Sequence, residues 1–545
     1  MADHRDARAG SGDDDAWSVG DTAESAGDAT SSPSEASGSP DDPPPADPPP
    51  ADPPPSDRLR AALRRRLGID VRALAAFRIA LAAVLLVDLA LRARNLTAFY
   101  TDAGVLPRPL LAEAYPLARV SLYALSGEAQ VAGLLFLAAA VAAVALAVGY
   151  RTRIAAAVSL ALLASLQARN PFVLNAGDTL LWQLLGAGLL CPLGARWSVD
   201  AVRRRGDAPG TRSPTPDGRF AGPRSALLFA VVLAVYVSNA VVKLRGEAWP
   251  AGEAVETVFR LTYLHGPLGG AVPESPELLT AATYGWLALL VASPLLVAAA
   301  GRIRAALAGT LIAAHLSMAL TLQIGVFAAV SATALLPFLP PFVWDRIESL
   351  VAPAVRPSRS AAERLLSSLG GGSVATGRIS GLGLGRATRG RVADAVAALL
   401  LVSLLAWTVM GLGVVGAPDS VAAVSDPTES DWDMFAPEPP STDDLVLATA
   451  TTADGDRIDA LYGDPVATDR PPSDARGYPT ARWRKHFSLL SAADADRVDA
   501  TLARLCDRAA GLSGAEAESV TVSSVEVAVG SGDTRVVELG SRECR

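Results

Sequence analysis

Apolar residues in this chain are concentrated in blocks that polar loops separate. Each block is about 20 residues long, which an α-helix needs to cross a hydrocarbon core of roughly 30 Å. Backbone polar groups in lipid must be satisfied within their own segment, so each block predicts a membrane-spanning helix. Nine blocks are present, at residues 71–92, 130–149, 153–168, 177–195, 224–243, 279–300, 303–321, 323–343 and 393–415. The third has an apolar core of only about 14 residues, so a re-entrant segment is an alternative there.

Arginines are clustered in every second loop between these blocks. The clusters lie before the first block and after the second, fourth, sixth and eighth, and the alternate loops carry few basic residues. Positive charge in short loops marks the cytoplasmic side of a membrane protein. We therefore expect a multi-pass protein of the cell membrane, with a cytoplasmic N-terminus and an extracytoplasmic C-terminal domain.

The pattern divides the chain into five regions. Residues 1–57 are acidic and rich in Pro, Ser and Gly, which predicts a disordered cytoplasmic tail. Residues 58–344 hold eight predicted spans, 345–392 an Arg- and Gly-rich cytoplasmic linker, and 393–415 the last span. In the linker, a nucleotide-binding glycine loop is a poor alternative, because no strand precedes it and a predicted span follows.

The last region, residues 416–545, is predicted to be a small α/β domain. Alternating apolar residues over 445–450 and 520–529 predict strands, and the spacing over 492–510 predicts a helix. The complete expectation is an all-α polytopic membrane bundle of about nine transmembrane helices that carries this domain outside the cell.

The charge balance is acidic, with a net charge of −8, and only two of the 48 basic residues are lysines. An Asp- and Ala-rich, Lys-poor composition resembles that of proteins from salt-loving prokaryotes, and a GC-rich genome would also explain the arginine bias. The basic residues are spread over membrane-flanking loops, which argues against nucleic-acid binding. Cys506 and Cys544 lie in the outer domain, where a disulfide can persist; two free thiols are the alternative.

Three polar residues fall within predicted spans, where charge is costly and therefore often functional. Arg78 and Asp88 lie in the first span and His315 lies in the seventh. For each, an interhelical hydrogen bond or a snorkelling side chain is the alternative. The four histidines are scattered without metal-ligand spacing, so no metal site is predicted.

Lys243 ends the fifth span at the predicted outer face. A lysine at a helix end commonly snorkels to the interface. This chain uses arginine almost everywhere else, however, and arginine stays protonated whereas a partly buried lysine can lose its proton. The choice of lysine therefore favours a general base at this position.

Other polar residues cluster at the outer ends of the predicted spans, where we expect them to surround an outward-facing substrate pocket. They are Asp102, Asn175, Asp178, Trp249 and His265, with Tyr100, Arg169 and Asn170 nearby.

Four short motifs occur in a characteristic order. They are Phe99–Pro107 (Phe-Tyr-Thr-Asp-Ala-Gly-Val-Leu-Pro), Asn175–Asp178 (Asn-Ala-Gly-Asp), Lys243-Leu244 followed by Trp249–Gly252 (Trp-Pro-Ala-Gly), and Trp432–Pro440 (Trp-Asp-Met-Phe-Ala-Pro-Glu-Pro-Pro). Over about residues 68–510 the chain resembles the HTTM (horizontally transferred transmembrane) domain, a family related to the vitamin K-dependent gamma-carboxylases.

The resemblance implies that a reduced naphthoquinone of the vitamin K type binds among the spans. Lys243 stands at the position of the family's catalytic lysine, which deprotonates the reduced form, the hydroquinone, ahead of oxidation or carboxylation chemistry. Two features depart from the carboxylases. The stretch from Asn170 to Asp178 lacks their histidine, and about 130 residues replace their large lumenal domain.

The first expectation is therefore a quinone-linked membrane enzyme, with the lipid bilayer, a membrane quinone, and an envelope protein or peptide as partners. A non-catalytic membrane scaffold or receptor with an outer interaction domain is the alternative. A transporter is a third hypothesis, and it predicts inverted internal repeats with interrupted spans near the midplane of the membrane.

Overall fold

The computed structural model describes residues 55–207, 218–353, 386–422, 425–429, 434–467, 474–490 and 492–544. Nearly all of the predicted acidic tail lies outside these residues. The glycine-rich part of the predicted linker and Trp432 of the last motif also lie outside them.

The described chain is mostly helical. Helices α1 to α10 are Pro55–Leu67, Val71–Ala93, Leu96–Tyr100, Arg108–Ala114, Ala129–Val148, Thr152–Arg169, Ala176–Leu190, Val199–Asp207, Pro223–Arg245 and Ala248–Ala251. Helices α11 to α20 are Ala254–Arg260, Pro276–Val291, Leu295–Ala298, Gly301–Thr321, Phe327–Leu335, Pro341–Pro353, Arg386–Gly411, Asp419–Ala422, Ala481–Ser488 and Ala495–Ser513. Strands β1 to β6 are Ile69–Asp70, Arg219–Phe220, Thr442–Thr452, Arg457–Asp459, Ala517–Ala528 and Thr534–Glu543.

Within the described residues, five helices are long and apolar enough to cross a membrane. They are α2, α5, α9, α14 and the Thr388–Gly411 part of α17. A sixth candidate is broken, because Phe327–Phe338 and Pro341–Pro353 meet at 108°. These findings support a membrane protein.

All nine predicted segments contain a helix, but two of them are not single helices. Over 279–300, α12 ends at Val291 and Pro294 precedes the short α13. Over 323–343, three prolines, at 337, 340 and 341, lie at the sharp bend. Proline lacks a backbone N–H and clashes with the preceding turn, which explains both breaks. The hydropathy pattern did not resolve them, because the flanking residues stay apolar.

The arginine-rich loops meet at one end of the bundle. The ribbon β1–β2 brings the starts of α2 and α9 together. Arg72 bonds Asp345 at 2.6 Å and Glu348 at 3.2 Å, and Arg224 bonds Asp394 at 2.8 Å. Loops that the sequence predicted to share one side therefore share one end of the bundle.

The C-terminal domain, which we call the outer domain after its predicted location, packs on the opposite end of α2. Its sheet is antiparallel in the order β4–β3–β5–β6, and β3 and β5 pair along their full length, with Leu445 opposite Val525. Helix α20 covers the sheet, and a disulfide between Cys506 and Cys544 ties this helix to the end of the chain. The predicted strands and helix are all present, and each differs from its predicted bounds by a few residues.

Candidate functional site

Lys243 is buried in the last turns of α9, with 1% of its surface exposed. Its ammonium nitrogen lies 2.7 Å from the carbonyl oxygen of Met434 and 3.1 Å from that of Phe435. The same nitrogen lies 3.8 Å from the ring centroid of Trp249, whose indole N–H donates to the Phe435 carbonyl at 2.7 Å. Carbonyl oxygens and an aromatic face both stabilise a positive charge, so this environment suits a lysine cation.

A second set of contacts joins the same two segments. The Glu438 carboxylate accepts the backbone N–H of Glu247 and, at 3.0 Å, that of Ala248. Gly246 lies against the Pro437 backbone, where a Cβ atom would clash. Two motifs that carried the family resemblance, 191 residues apart in sequence, are therefore packed against each other.

An apolar cavity of about 390 Å³ lies beneath Lys243, between α9, α12, α14 and α15. Mostly apolar cavities of this size with a few polar groups are typical of small-molecule sites. The polar groups at this one include Tyr236, Asn239, Lys243, Trp249 and His315. Tyr236, Asn239 and Lys243 lie three and then four residues apart on α9, so they share one face of that helix.

His315 lines this cavity from α14 and is buried. Its Nε2 atom lies 2.9 Å from the Tyr236 hydroxyl, and its ring meets the Trp286 ring edge-on at 5.4 Å. Its Nδ1 atom has no hydrogen-bond partner among the described residues. A buried polar atom without a partner is costly in a finished core, so Nδ1 is a candidate to contact a ligand.

Asp88 and Asp178 belong to a buried cluster that lies apart from Lys243. Arg92 donates to Asp88 at 2.6 Å, to Tyr100 at 2.8 Å and to Asp178. Arg482 of α19 donates to Asp88 at 2.7 Å and to Asp178 at 3.1 Å. Two carboxylates and two guanidinium groups balance in charge, and the cluster joins α2 and α7 to the outer domain.

Asp178 also has a local role at the start of α7. Its carboxylate accepts the Asn175 backbone N–H at 2.9 Å, and Asn175 accepts that of Gly177 at 3.0 Å, which completes a capping box. Both carboxylate oxygens of Asp178 therefore have partners within the protein. Asn175 instead lines a second cavity, between the bundle and the outer domain.

The remaining predicted site residues lie at separate places. Asp102 accepts hydrogen bonds from the backbone and the side chain of Arg108. Burial raises the pKa of Asp102, but these hydrogen bonds more than offset it, so the pKa is lowered. His265 Nε2 donates to the Phe259 carbonyl at 2.9 Å. Arg78 donates to the Trp197 carbonyl at 2.6 Å, at the arginine-rich end. The structure thus brings Lys243, Trp249 and His315 together and separates them from Asp102, Asp178 and His265.

Sequence reasoning missed Arg92, Arg482 and Tyr236. Arg92 follows Asp88 by four residues, a spacing that places them on one helix face and was a usable signal. Tyr236 precedes Lys243 by seven residues on the same face and was another. Arg482 left no such signal, because it reaches its partners from a different domain.

Comparisons of this chain with protein-family models, curated proteins and solved structures found no match. The fold and the cavity define the class: a helical protein with several membrane-type helices, a mostly apolar cavity between them and a small α/β domain packed on one end.

Proposed function

We propose that this protein is an integral membrane protein that binds a reduced quinone-type ring in the cavity beneath Lys243. The observation that carries the proposal is the unpartnered Nδ1 of His315, in an apolar cavity that also presents Lys243. The family resemblance gives the same ligand class and the same lysine.

The spacing of the polar groups supports this ligand. His315 is hydrogen-bonded to Tyr236, and Lys243 lies seven residues further along α9. At 1.5 Å per residue that separation is about 10 Å. An aromatic ring with an oxygen at each end, hydrogen-bonded on both sides, bridges such a distance.

The contacts suggest different roles for His315 and Lys243. When bound, a reduced quinone would supply ring hydroxyl groups, and loss of a proton from one of them would prepare the ring for two-electron oxidation by an oxidant such as molecular oxygen. His315 Nδ1 would accept one such proton when Nε2 carries the ring proton and donates it to Tyr236, because Nδ1 then has a lone pair and no donor among the described residues. Lys243, held as a cation, would stabilise negative charge at the other end of the cavity. The resemblance instead gives Lys243 the role of base.

We also propose that the nine helical segments lie in a cell membrane, with the arginine-rich end in the cytoplasm and the C-terminal domain outside. Lys243 is close to the outer domain, so the reactive end of the ligand would lie near the outer face. The meeting of the arginine-rich loops at one end supports this orientation.

Filling the cavity is expected to abolish binding. Gly285 lines the cavity, and a Cβ added there meets nothing within 4 Å. Gly285→Leu should therefore fold but exclude a naphthoquinone, measured as loss of saturable quenching of tryptophan fluorescence on titration of the purified full chain with menadione. Gly133→Leu on α5 is the matched control, since that glycine also has open space and lies outside the cavity. Equal quenching in both variants, or none in the native protein, would reject the proposal.

Lys243→Arg and His315→Gln separate the two roles. Arginine keeps the positive charge but cannot act as a base at neutral pH. If Lys243 acts as a cation, membranes with Lys243→Arg retain measurable oxidation of a reduced naphthoquinone, and His315→Gln loses it to the level of membranes without the protein. The reverse pattern would make Lys243 the base, as the family resemblance implies.

A non-catalytic scaffold or receptor is the second candidate. It is favoured by the contacts of Lys243 and Trp249 with Met434 and Phe435, which serve to hold the chain after the last span against the bundle. Under this reading menadione does not bind, and Lys243→Arg affects stability alone.

A further inference from the structure

A second, larger cavity of about 1250 Å³ lies between the bundle and the outer domain. It shares Met434 and Phe435 with the first cavity, so this segment separates the two. Helices α7 and α17 contribute Trp182, Leu400 and Trp407 to its wall. The outer domain contributes strands of the sheet and helix α19.

The bundle side of this cavity combines large apolar side chains with small polar ones and is open at the protein surface. Trp182 is 44% exposed and Leu400 is 47% exposed, although both line the cavity. Only 6% of the most apolar 18-residue stretch of α17 is buried within the protein. A surface of this kind on membrane-type helices faces lipid, so the opening between α7 and α17 is accessible from the bilayer.

The domain side of the cavity carries two basic residues, Arg484 and Lys485. Their side chains form no hydrogen bond or ion pair with any described residue. Arg484 lies 5.6 Å from the Tyr263 ring centroid, and burial lowers the pKa of its guanidinium group. A partly buried cation without a carboxylate partner favours an anion as its ligand.

Three carboxylates also line the cavity, and each has a partner of its own. Glu438 accepts two backbone N–H groups. Glu526 pairs with Arg535 at 3.6 Å, and Asp444 is hydrogen-bonded by Thr442. Each of these carboxylates therefore already accepts a hydrogen bond or an ion pair, whereas the side chains of Arg484 and Lys485 have no acceptor among the described residues.

We propose that this cavity binds an anionic membrane lipid, with its headgroup at Arg484 and Lys485 and its acyl chain along α7 and α17. Trp182 and Trp407 would flank the headgroup level, where tryptophan is favoured in membrane proteins. A basic pocket that opens between membrane helices is a known way to hold an anionic headgroup. The volume exceeds that of a typical drug-sized site and accommodates a headgroup with the first part of its chains. This site does not depend on quinone binding.

The test is fluorescence quenching of the purified full chain in neutral detergent by lipids with brominated acyl chains. Brominated phosphatidylglycerol is expected to half-saturate quenching at a roughly tenfold lower concentration than brominated phosphatidylcholine, because two cations face its phosphate. Trp182→Phe combined with Trp407→Phe should remove most of the saturable quenching by brominated phosphatidylglycerol, because both tryptophans line this cavity, whereas Trp286→Phe, in the first cavity, should preserve it. Equal quenching of the native protein by both lipids would overturn the proposal.

The headgroup site is tested by Arg484→Gln combined with Lys485→Gln. The preference for phosphatidylglycerol should be lost, and it should remain in the control Arg119→Gln with Arg260→Gln, which removes the same charge from exposed positions. A preference that survives in the first double variant would overturn the site. If inorganic phosphate competes while brominated lipid shows no preference, the ligand is a soluble phosphate and the lipid proposal fails.

Discussion

Buried charges in this protein are satisfied one residue at a time, by partners that differ from site to site. Lys243 is held by two carbonyl oxygens and an indole ring. Arg169 donates to the carbonyls of Leu106 and Thr101, each at 3.0 Å. In both cases a charged group out of water is tolerated because several acceptors meet it. The residue type alone therefore does not separate a structural charge from a functional one.

His486 gives the outer domain a dependence on pH. It is buried beside Phe99 and Trp483, and its Nε2 atom lies 3.0 Å from the Thr501 hydroxyl. Burial, with a smaller effect of Arg497, lowers the pKa of His486 to about 3 from its usual 6.5. Between these values the unfolded chain binds a proton that the folded chain excludes.

The free energy of unfolding should therefore be highest above the unfolded-state pKa and should decrease as the pH falls towards the folded-state pKa. The expected slope from this group is about 1.4 kcal/mol per pH unit. Chemical unfolding of the full chain in detergent at several pH values would measure it. In His486→Gln that part of the slope should vanish, and parallel curves for the two proteins would contradict the assignment.

At the scale of elements, α19 is the piece of the outer domain that enters the bundle. Thr480 caps it, and its first turn carries Arg482 into the cluster with Asp88 and Asp178. Burial alone would lower the pKa of Arg482, but the two carboxylates more than offset it. The position of the outer domain therefore depends on a charge cluster as well as on apolar packing.

Arg482→Gln should weaken this junction strongly, because Asp88 and Asp178 would then share Arg92, and one buried negative charge of the cluster would no longer be balanced. The expected loss is about 3–5 kcal/mol in the free energy of unfolding, with faster hydrogen exchange in α19. Arg542→Gln is the matched control, since its ion pair with Asp499 is partly exposed. Arg542→Gln should lower the free energy of unfolding by at most about 1 kcal/mol. Similar losses in the two variants would show that the buried cluster does not hold the domain.

At the scale of the whole molecule, charge separates the two ends of the bundle. The arginine-rich loops surround the start of α2, and the acidic outer domain covers its end. With 23 residues at 1.5 Å each, α2 holds these ends about 35 Å apart. This distance matches a hydrocarbon core with a small margin.

Cysteine labelling in intact cells would test the proposed orientation. Arg119→Cys lies at the end near the outer domain, Arg302→Cys lies at the arginine-rich end, and both positions are exposed. A membrane-impermeant thiol reagent should label the first in intact cells and the second only after lysis. The native cysteines give a low background, because Cys191 is buried and the other two are bridged. Labelling of both, or of neither, before lysis would contradict the orientation.

The sequence by itself determined where the helical segments lie, the grouping of the arginine-rich loops, and two strands and one helix of the outer domain, whereas β4, β6 and α19 were not predicted. These features depend on local hydropathy, charge and periodicity, which are readable along the chain. It also indicated Lys243 and His315 as polar groups in apolar surroundings.

Only the tertiary structure decided which polar residues share a site. Lys243 meets Met434 and Phe435 across 191 residues, and Arg482 meets Asp88 across 394 residues. Such contacts depend on how separate elements pack, so they cannot be predicted from the local pattern of apolar and polar residues. For the same reason only the structure shows that Asp88 and Asp178 belong to a charge cluster and that His315 and Lys243 line one cavity.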